Sequence, residues 1–232
     1  MNLVMFDMDG TLTDSSALDS NCYVHAIEQA LGLDDISTDW ESYPHASSSC
    51  CLEEIVRRAR GHAPTAAESR AVQACMIDLM DKLDRRNGRG TAEIPGAAAC
   101  LLALQAAGHA VAIASGDWEA TARHKLTTAR IPFESLPAAF CEVSHARTDI
   151  MRAALARAAA HHNGARFERI VYIGDGIWDV RACRELAWPL VGIGHGAHAS
   201  RLRALGASHV LSNYMQLDAF MAALDTALVP AG

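Results

Sequence analysis

Five short apolar runs, separated by longer helical patterns, limit the possible folds of this chain more than any other feature. Short runs rich in Val and Ile and bounded by turn residues are typical of buried strands. Because they alternate with helical patterns, the sequence predicts an α/β fold with a parallel sheet and helices on both faces. The predicted strands are LVMF (3–6), AVAIA (110–114), RIVYI (169–173), PLVGI (189–193) and SHVL (208–211). The predicted helices of this part span roughly 96–107, 118–129, 148–161, 178–186, 198–205 and 215–227.

Residues 15–90 interrupt the alternation, because they contain helical patterns and no convincing strand. The helical patterns are SALDSNCYVHAIEQALGL (16–33), CCLEEIVRRARG (50–61) and TAAESRAVQACMIDLMDKLDRR (65–86). We therefore predict a catalytic core formed by 1–14 and 91–232, with a helical cap domain inserted at 15–90. RNGRGTAEIPG (86–96) is the predicted return linker, and hinges are expected near 13–17 and 86–94.

Composition argues against several classes of partner. The 232 residues carry a net charge of −7, from 20 basic and 27 acidic residues, and no block of five or six basic residues occurs, so nucleic acid is not expected. No segment approaches the roughly 18 apolar residues that a membrane span needs. The N-terminus lacks the basic segment of a signal peptide, which predicts a cytoplasmic protein. Monomer and homodimer both stay open.

Carboxylates follow the first and third of the predicted strands. Asp7 and Asp9 come directly after LVMF, and Asp175 and Asp179 follow RIVYI one helical turn apart. In an open parallel sheet, ligands bind beyond the carboxyl ends of the strands, so these side chains should share one crevice. Four carboxylates would repel one another unless a cation compensated them. Oxygen ligands favour Mg²⁺, which commonly joins carboxylates to a substrate phosphate.

Residues suited to phosphate follow the second predicted strand. Ser115 and Gly116 lie where the next helix begins, and backbone N–H groups and the helix dipole favour an anion there, although a helix-capping serine is an alternative. Asp117 is interpreted as a helix cap. Arg147 precedes the next helix and is the preferred cation for the phosphate, whereas Lys125 is expected to face solvent. These residues predict a small phosphorylated substrate.

Four segments together resemble the signature motifs of the haloacid dehalogenase-like hydrolase superfamily. They are VMFDMDGTLTDS (4–15), AIASGD (112–117), Arg147 before a helix, and YIGDGIWD (172–179), in that order. The inserted helices resemble the C1 cap of the phosphoglycolate-phosphatase-like members. The resemblance implies a Rossmann-like, doubly wound parallel sheet with an all-helical cap, and a Mg²⁺-dependent phosphatase.

The resemblance also implies a role for each motif residue. Asp7 would attack phosphorus and form an aspartyl-phosphate, and Asp9 would act first as general acid and then as base. Arginine replaces the lysine usual in the third motif, and Arg147 or Lys125 would fill that role. The other implied roles are hydrogen bonding of the phosphoryl group by Ser115 and Gly116, neutralisation by Arg147, Mg²⁺ binding by Asp7, Asp175 and the Asp9 carbonyl, and orientation of the cation by Asp179.

Substrate choice in such proteins lies largely in the cap. YPHASSSCCLEEI (43–55) places His45, Ser47, Ser48 and Ser49 before a helix, where they are candidates to face the leaving group. The alternative interpretation is a serine-rich loop with a helix cap.

Several other functions remain open from the sequence. A phosphomutase would use the same centre but pass the phosphoryl group to a sugar. A phosphonatase would need a cap lysine, for which Lys82 is the candidate. A non-catalytic binding protein, a receiver-like signalling module, or a dinucleotide-binding enzyme using GIGHGA (192–197) are further alternatives.

Overall fold

A six-stranded parallel sheet forms the centre of the computed structural model, which describes residues 1–87 and 90–231. The strand order is β5-β4-β1-β6-β7-β8, so the chain winds outward from β1 in both directions. This is the doubly wound, Rossmann-like arrangement, and all five predicted strands are confirmed within one residue. The strands are β1 (Leu3–Phe6), β4 (Ala110–Ala114), β5 (Ala138–Ala139), β6 (Ile170–Gly174), β7 (Leu190–Ile193) and β8 (His209–Leu211).

Helices cover both faces of the sheet. Side chains of β1 alternate between two apolar clusters, with Leu3 and Met5 in one and Val4 and Phe6 in the other. Because both faces are covered, all four residues are buried, and the first polar side chain emerges at the carboxyl end of the strand. The helices after residue 96 are α4 (Ala97–Ala106), α5 (Glu119–Thr128), α6 (Arg147–His161), α7 (Ile177–Leu186), α8 (Gly196–Ala204) and α9 (Leu217–Thr226).

A group of helices, here called the inserted helices, lies between β1 and β4 in the chain. Its elements are α1 (Ser16–Leu31), a 3₁₀-helix (Trp40–Ser42), α2 (Ser48–Arg60) and α3 (Ala66–Asn87). Apolar residues such as Ile27 of α1 and Met76 of α3 belong to the same cluster as one face of the sheet. The apolar residues of the inserted helices are therefore continuous with one of the two apolar clusters of the sheet.

Two short antiparallel strands, β2 (Thr13–Asp14) and β3 (Ala92–Glu93), join the inserted helices to the sheet. They lie where hinges were predicted, and neither strand was predicted. Residues 88 and 89 of the predicted return linker 86–96 lie outside the described residues. In the part of the chain that the structure describes, no helix combines the length and the apolar character that crossing a bilayer requires.

Candidate active site

Three carboxylates meet beyond the carboxyl ends of β1 and β6, which are neighbours in the sheet. Asp7 follows β1, and its N–H donates to the carbonyl of Ile173 in β6 at 2.8 Å. Asp7, Asp175 and Asp179 each offer a carboxylate oxygen, and these oxygens lie within 4.8 Å of one another. Asp179 is fixed at the start of α7, where its Oδ2 accepts a hydrogen bond from the Gly176 N–H at 3.0 Å. The predicted meeting of these three residues is present in the structure.

Gly10 allows this close approach. Its φ is +72°, in the left-handed region, and a Cβ at this position would lie 2.1 Å from Oδ2 of Asp175. Any side chain at Gly10 would therefore push Asp175 away from Asp7. The glycine of the first motif thus has a packing reason as well as a conformational one.

Arg147 supplies the positive charge next to these carboxylates. It is the first residue of α6, and its Nη1 donates to Oδ1 of Asp7 at 2.9 Å. Its Nε lies 3.5 Å from Oδ1 of Asp179, so one guanidinium faces two of the three acids. Burial alone would lower the pKa of Arg147, but Asp7 and Asp179 raise it. Arg147, and not Lys125, therefore occupies the place next to Asp7 that the third motif predicts.

Burial makes the ionised form of these carboxylates costly. It raises the pKa of Asp7 despite the opposing charge of Arg147, and it raises the pKa of Asp179 to about 7. Burial, with Asp7 and Asp179 nearby, raises the pKa of Asp175 well above its usual value. Among the described residues, Oδ1 of Asp175 and Oδ1 of Asp179 have no hydrogen-bond partner. Buried, unpartnered oxygens of this kind fit a hard divalent cation.

The prediction that Lys125 faces solvent is wrong. The side chain is 0% exposed, and Nζ donates to both carboxylate oxygens of Asp9, at 2.8 and 2.7 Å. Nζ also contacts Asp19 and lies 2.8 Å from Oδ2 of Asp117. Lys125 is buried because it lies on the inward face of α5, where Thr121, Ala122 and Leu126 are also buried.

The acids around Lys125 come from three parts of the chain. Asp9 follows β1, Asp19 lies in the first turn of α1, and Asp117 follows β4. Burial alone would lower the pKa of Lys125, but the three carboxylates raise it well above its usual value. Burial raises the pKa of Asp9 and raises that of Asp19 to about 8, although Lys125 opposes both shifts. The carboxylate of Asp9 therefore belongs to this second group, and metal binding through its backbone stays a prediction.

Asp117 does more than the predicted helix capping. Its Oδ1 accepts hydrogen bonds from the N–H of Trp118 and the hydroxyl of Thr121, at 2.9 and 2.8 Å. The same oxygen accepts a hydrogen bond from the hydroxyl of Ser48, at 2.9 Å. Asp117 thus connects the turn after β4 with the first residue of α2.

A cavity of about 190 Å³ lies between the sheet edge and the inserted helices. On the sheet side, Asp7, Asp9, Ser115, Arg147 and Asp175 are among the residues that line it. These include most of the predicted catalytic side chains. The residues that the structure brings together here are therefore largely those that the four motifs predicted.

Ser115 and Gly116 form the turn after β4, on the wall of this cavity. Ser115 is buried, and its Oγ accepts a hydrogen bond from the N–H of Asp117 at 3.2 Å. The Gly116 carbonyl accepts the N–H of Ser48 at 2.8 Å, and a Cβ at Gly116 would lie 2.7 Å from the carbonyl oxygen of Ala46. A residue with a side chain would therefore disturb the contact between the turn and α2.

The predicted specificity residues divide between different positions. Ser47 and Ser48 line the cavity, whereas the Ser49 hydroxyl donates to the carbonyl of Cys141 at 3.3 Å. His45 is exposed and lines an adjoining cavity of about 420 Å³.

Sequence analysis missed several residues of the cavity. Asp19, Tyr23, Trp40 and Trp178 line it, and the first three belong to the inserted helices. Tyr23 and Trp40 carry no motif that points to a ligand. Trp178 lies within the fourth motif, and its ring crosses Gly176, where a Cβ would lie 2.2 Å from Nε1 of the indole.

Fold and site together define an α/β enzyme with carboxylates and a guanidinium at the ends of neighbouring parallel strands. The family model described as haloacid dehalogenase-like hydrolase matches residues 1–186, and the chain belongs to this family. The predicted superfamily is thereby confirmed.

Solved structures with the same fold cover nearly the whole chain. A hydrolase from Pseudomonas syringae has a TM-score of 0.72 at 21% identity, covering 96% of this chain and 98% of its own. CbbY from Rhodobacter sphaeroides, in complex with phosphate, has a TM-score of 0.68 at 20% identity, with coverages of 94% and 96%. A protein assigned as a β-phosphoglucomutase from Bacteroides vulgatus has a TM-score of 0.70 at 18% identity, covering 98% of this chain and 90% of its own. No curated protein matches the chain.

Proposed function

We propose that this hydrolase is a Mg²⁺-dependent phosphatase that acts on a small phosphorylated metabolite through an aspartyl-phosphate. The observation that carries the proposal is the placement of Asp7 and Asp9 on one cavity, each with a different partner. Asp7 contacts Arg147, and Asp9 contacts Lys125. One carboxylate is thereby available as nucleophile while the other can exchange a proton.

In the first proposed step, an oxygen of Asp7 attacks phosphorus and the bond to the leaving oxygen breaks. Asp9 gives its proton to that oxygen, so the product leaves as an alcohol. Burial raises the pKa of Asp9, which favours the protonated form that this step needs. In the second step, Asp9 takes a proton from water, the water oxygen attacks phosphorus, and Asp7 is released with inorganic phosphate.

The remaining residues position the phosphoryl group and balance its charge. Arg147 neutralises Asp7 and the phosphoryl oxygens, and Ser115 with the backbone at Gly116 donates hydrogen bonds to them. Asp7, Asp175 and Asp179, with the carbonyl of Asp9, would hold Mg²⁺. When bound, Mg²⁺ supplies compensation for the charge that develops on the phosphoryl oxygens.

The inserted helices would act as the cap, with the chain divided into a core (1–14 and 91–232) and a cap (15–90). The cap assignment is supported by two hydrogen bonds of Ser48, to Gly116 and to Asp117. They hold the start of α2 against the turn after β4, at the wall of the cavity. A closed cap would keep water out while the aspartyl-phosphate forms. Cytoplasmic location and a monomeric or homodimeric state stay predictions.

Two alternatives differ in how well the structure supports them. A phosphomutase would share the centre and stays an alternative. A phosphonatase would need a neutral lysine amine, but Lys82 is 61% exposed and paired with Asp78. Lys125 is held in its charged form, because its three carboxylates raise its pKa. The phosphonatase alternative is therefore not supported.

The test is phosphate release from a panel of phosphorylated metabolites with Mg²⁺. Asp7→Asn should lower kcat at least a thousandfold, about 4 kcal/mol of barrier, because the nucleophile is lost. EDTA should abolish wild-type activity, and Asp34→Asn, which changes an exposed acid, should leave activity unchanged.

Activity that survives in Asp7→Asn would contradict the proposal. Conversion of a sugar phosphate to its isomer without phosphate release would instead identify a phosphomutase.

A further inference from the structure

The cavity is lined by more acidic than basic side chains. Among the described residues that line the cavity, Arg147 is the single cationic side chain, and it contacts Asp7 and Asp179. Behind the wall, Lys125 is shared by Asp9, Asp19 and Asp117, so three carboxylates face one ammonium. An anionic leaving group would meet these acids without a cation of its own.

Aromatic rings form another part of the cavity wall. Tyr23, Trp40 and Trp178 line the cavity. The Tyr23 ring lies 5.5 Å from that of Trp40 at 89°, and on another side it stacks on Trp118, also at 5.5 Å. Hydrogen bonds hold both residues, from Nε1 of Trp40 to Oγ of Ser20 at 3.1 Å and from the Tyr23 hydroxyl to the Ser48 carbonyl at 2.7 Å. Fixed aromatic faces attract cations, most strongly when water is excluded.

Two polar atoms on this wall lack partners among the described residues. Ser47 is the N-cap of α2, but its hydroxyl makes no capping hydrogen bond, although capping is the usual role of serine there. Ser47 is 4% exposed, and its Oγ has no other hydrogen-bond partner. The buried Nε1 of Trp178 also lacks a partner. Buried polar groups normally have partners, so a bound ligand is expected to satisfy these two.

We propose that the substrate is the phosphate monoester of a small amino alcohol, whose ammonium lies among Asp19 and the rings of Tyr23 and Trp40. This inference rests on the proposed phosphatase function. The Ser47 hydroxyl accepts a hydrogen bond from the ammonium. The cavity of about 190 Å³ is small, which favours a compact leaving group.

The adjoining cavity offers the alternative source of charge for a longer, anionic substrate. Arg152 and Arg181 line it, but Arg152 pairs with Asp149 at 3.0 Å. Arg181 is exposed to solvent. A substitution of Arg181 therefore tests whether this second cavity takes part.

The experiment compares three esters whose leaving groups contain two carbons and differ in charge. They are O-phosphoethanolamine, 2-hydroxyethyl phosphate and phosphoglycolate, with an ammonium, a hydroxyl and a carboxylate respectively. With Mg²⁺, we expect kcat/KM to fall at least tenfold from the ammonium to the hydroxyl and again to the carboxylate. Trp40→Leu should reduce the preference for the ammonium over the hydroxyl at least threefold, whereas Arg181→Ser should leave that ratio unchanged.

Turnover of phosphoglycolate equal to or faster than that of O-phosphoethanolamine would overturn the inference. If Arg181→Ser then lost the turnover of phosphoglycolate, the carboxylate would be assigned to the second cavity. 2-Hydroxyethyl phosphate separates the substrate class from the phosphatase activity itself. Its hydrolysis without turnover of O-phosphoethanolamine would overturn the substrate class and leave the phosphatase standing. No hydrolysis of any of the three esters would overturn both.

Discussion

Two groups of three carboxylates lie side by side in the part of the protein that the structure describes, and each contacts a basic side chain. The first group is Asp7, Asp175 and Asp179 with Arg147, and the second is Asp9, Asp19 and Asp117 with Lys125. In the first group, oxygens of two acids are buried without hydrogen-bond partners among the described residues. In the second, the ammonium lies within reach of all three acids.

The difference shows that a cluster of acids does not by itself indicate a metal. The group around Lys125 carries its own cation inside the fold, so a divalent ion would have to displace a buried ammonium. The group around Arg147 is only partly paired, because the guanidinium reaches Asp7 and Asp179 but not Asp175. We therefore expect metal at the first group and none at the second, where Lys125 holds the proposed acid and base, Asp9, in place.

The distinction between the two groups would fail most clearly if Lys125 could be replaced without loss of stability. Lys125→Met leaves buried carboxylates without their cation, and removal of one partner from a buried ion pair typically costs 3–5 kcal/mol of unfolding free energy. Protonation of the acids relieves this cost, so the loss should be larger at pH 8 than at pH 5.5. Urea denaturation at the two pH values measures it.

Lys82→Met is the matched control for Lys125→Met. Lys82 is 61% exposed, and its pair with Asp78 lies on the surface of α3, so the change should stay within about 0.5 kcal/mol. Equal losses for the two variants would mean that the buried ammonium has no special role.

Arg147→Lys sharpens the comparison at the first group. Lysine keeps the charge but has a single point of contact, whereas the guanidinium reaches Asp7 and Asp179 at once. We expect kcat for phosphate release to fall about 10- to 100-fold, equivalent to roughly 1.4–2.7 kcal/mol of barrier. Full activity in Arg147→Lys would show that the two-point contact is unimportant.

The pH dependence of the thermal stability of the metal-free protein is a further test of the second group, with a smaller expected effect. The pKa of Asp19 is raised to about 8 by burial, above its unfolded value near 3.9, so the folded state holds the extra proton. Its stabilising contribution is complete below about pH 4 and is lost as the pH rises through 8. With EDTA present, thermal unfolding should therefore occur a few degrees lower at pH 8.5 than at pH 6.

Asp19→Asn should reduce the change of unfolding temperature with pH, because asparagine does not titrate. Asp34→Asn should leave that change as it is in the wild type. The pKa of Asp179, about 7, adds a slope of the same sign that persists in Asp19→Asn. A steeper slope in Asp19→Asn would contradict the assigned direction of the Asp19 shift.

Local patterns predicted much of the sheet and of the first group. Asp7 and Asp175 could be predicted because each follows its strand directly, and β1 and β6 are neighbours in the doubly wound order. The short strands β2, β3 and β5 were missed, because two residues carry no periodicity. Their positions depend on pairing with distant segments.

The second group was not predictable in the same way. Lys125 and Asp19 are 106 positions apart, and their contact depends on where the fold brings the first turn of α1 relative to α5. The buried stripe Thr121, Ala122 and Leu126 was a usable signal that Lys125 lies on the inward face. That signal was outweighed by the general rule that lysine is exposed. The aromatic wall of Tyr23 and Trp40 likewise depends on packing that no motif encodes.

Calorimetric titration of Mg²⁺ tests the distinction between the two groups most directly. We predict that Asp175→Asn weakens Mg²⁺ binding at least tenfold, because a ligand of the first group is lost. Asp19→Asn should change the affinity less than threefold, because Asp19 belongs to the group that has its own ammonium. Weaker binding in Asp19→Asn with wild-type affinity in Asp175→Asn would contradict this account.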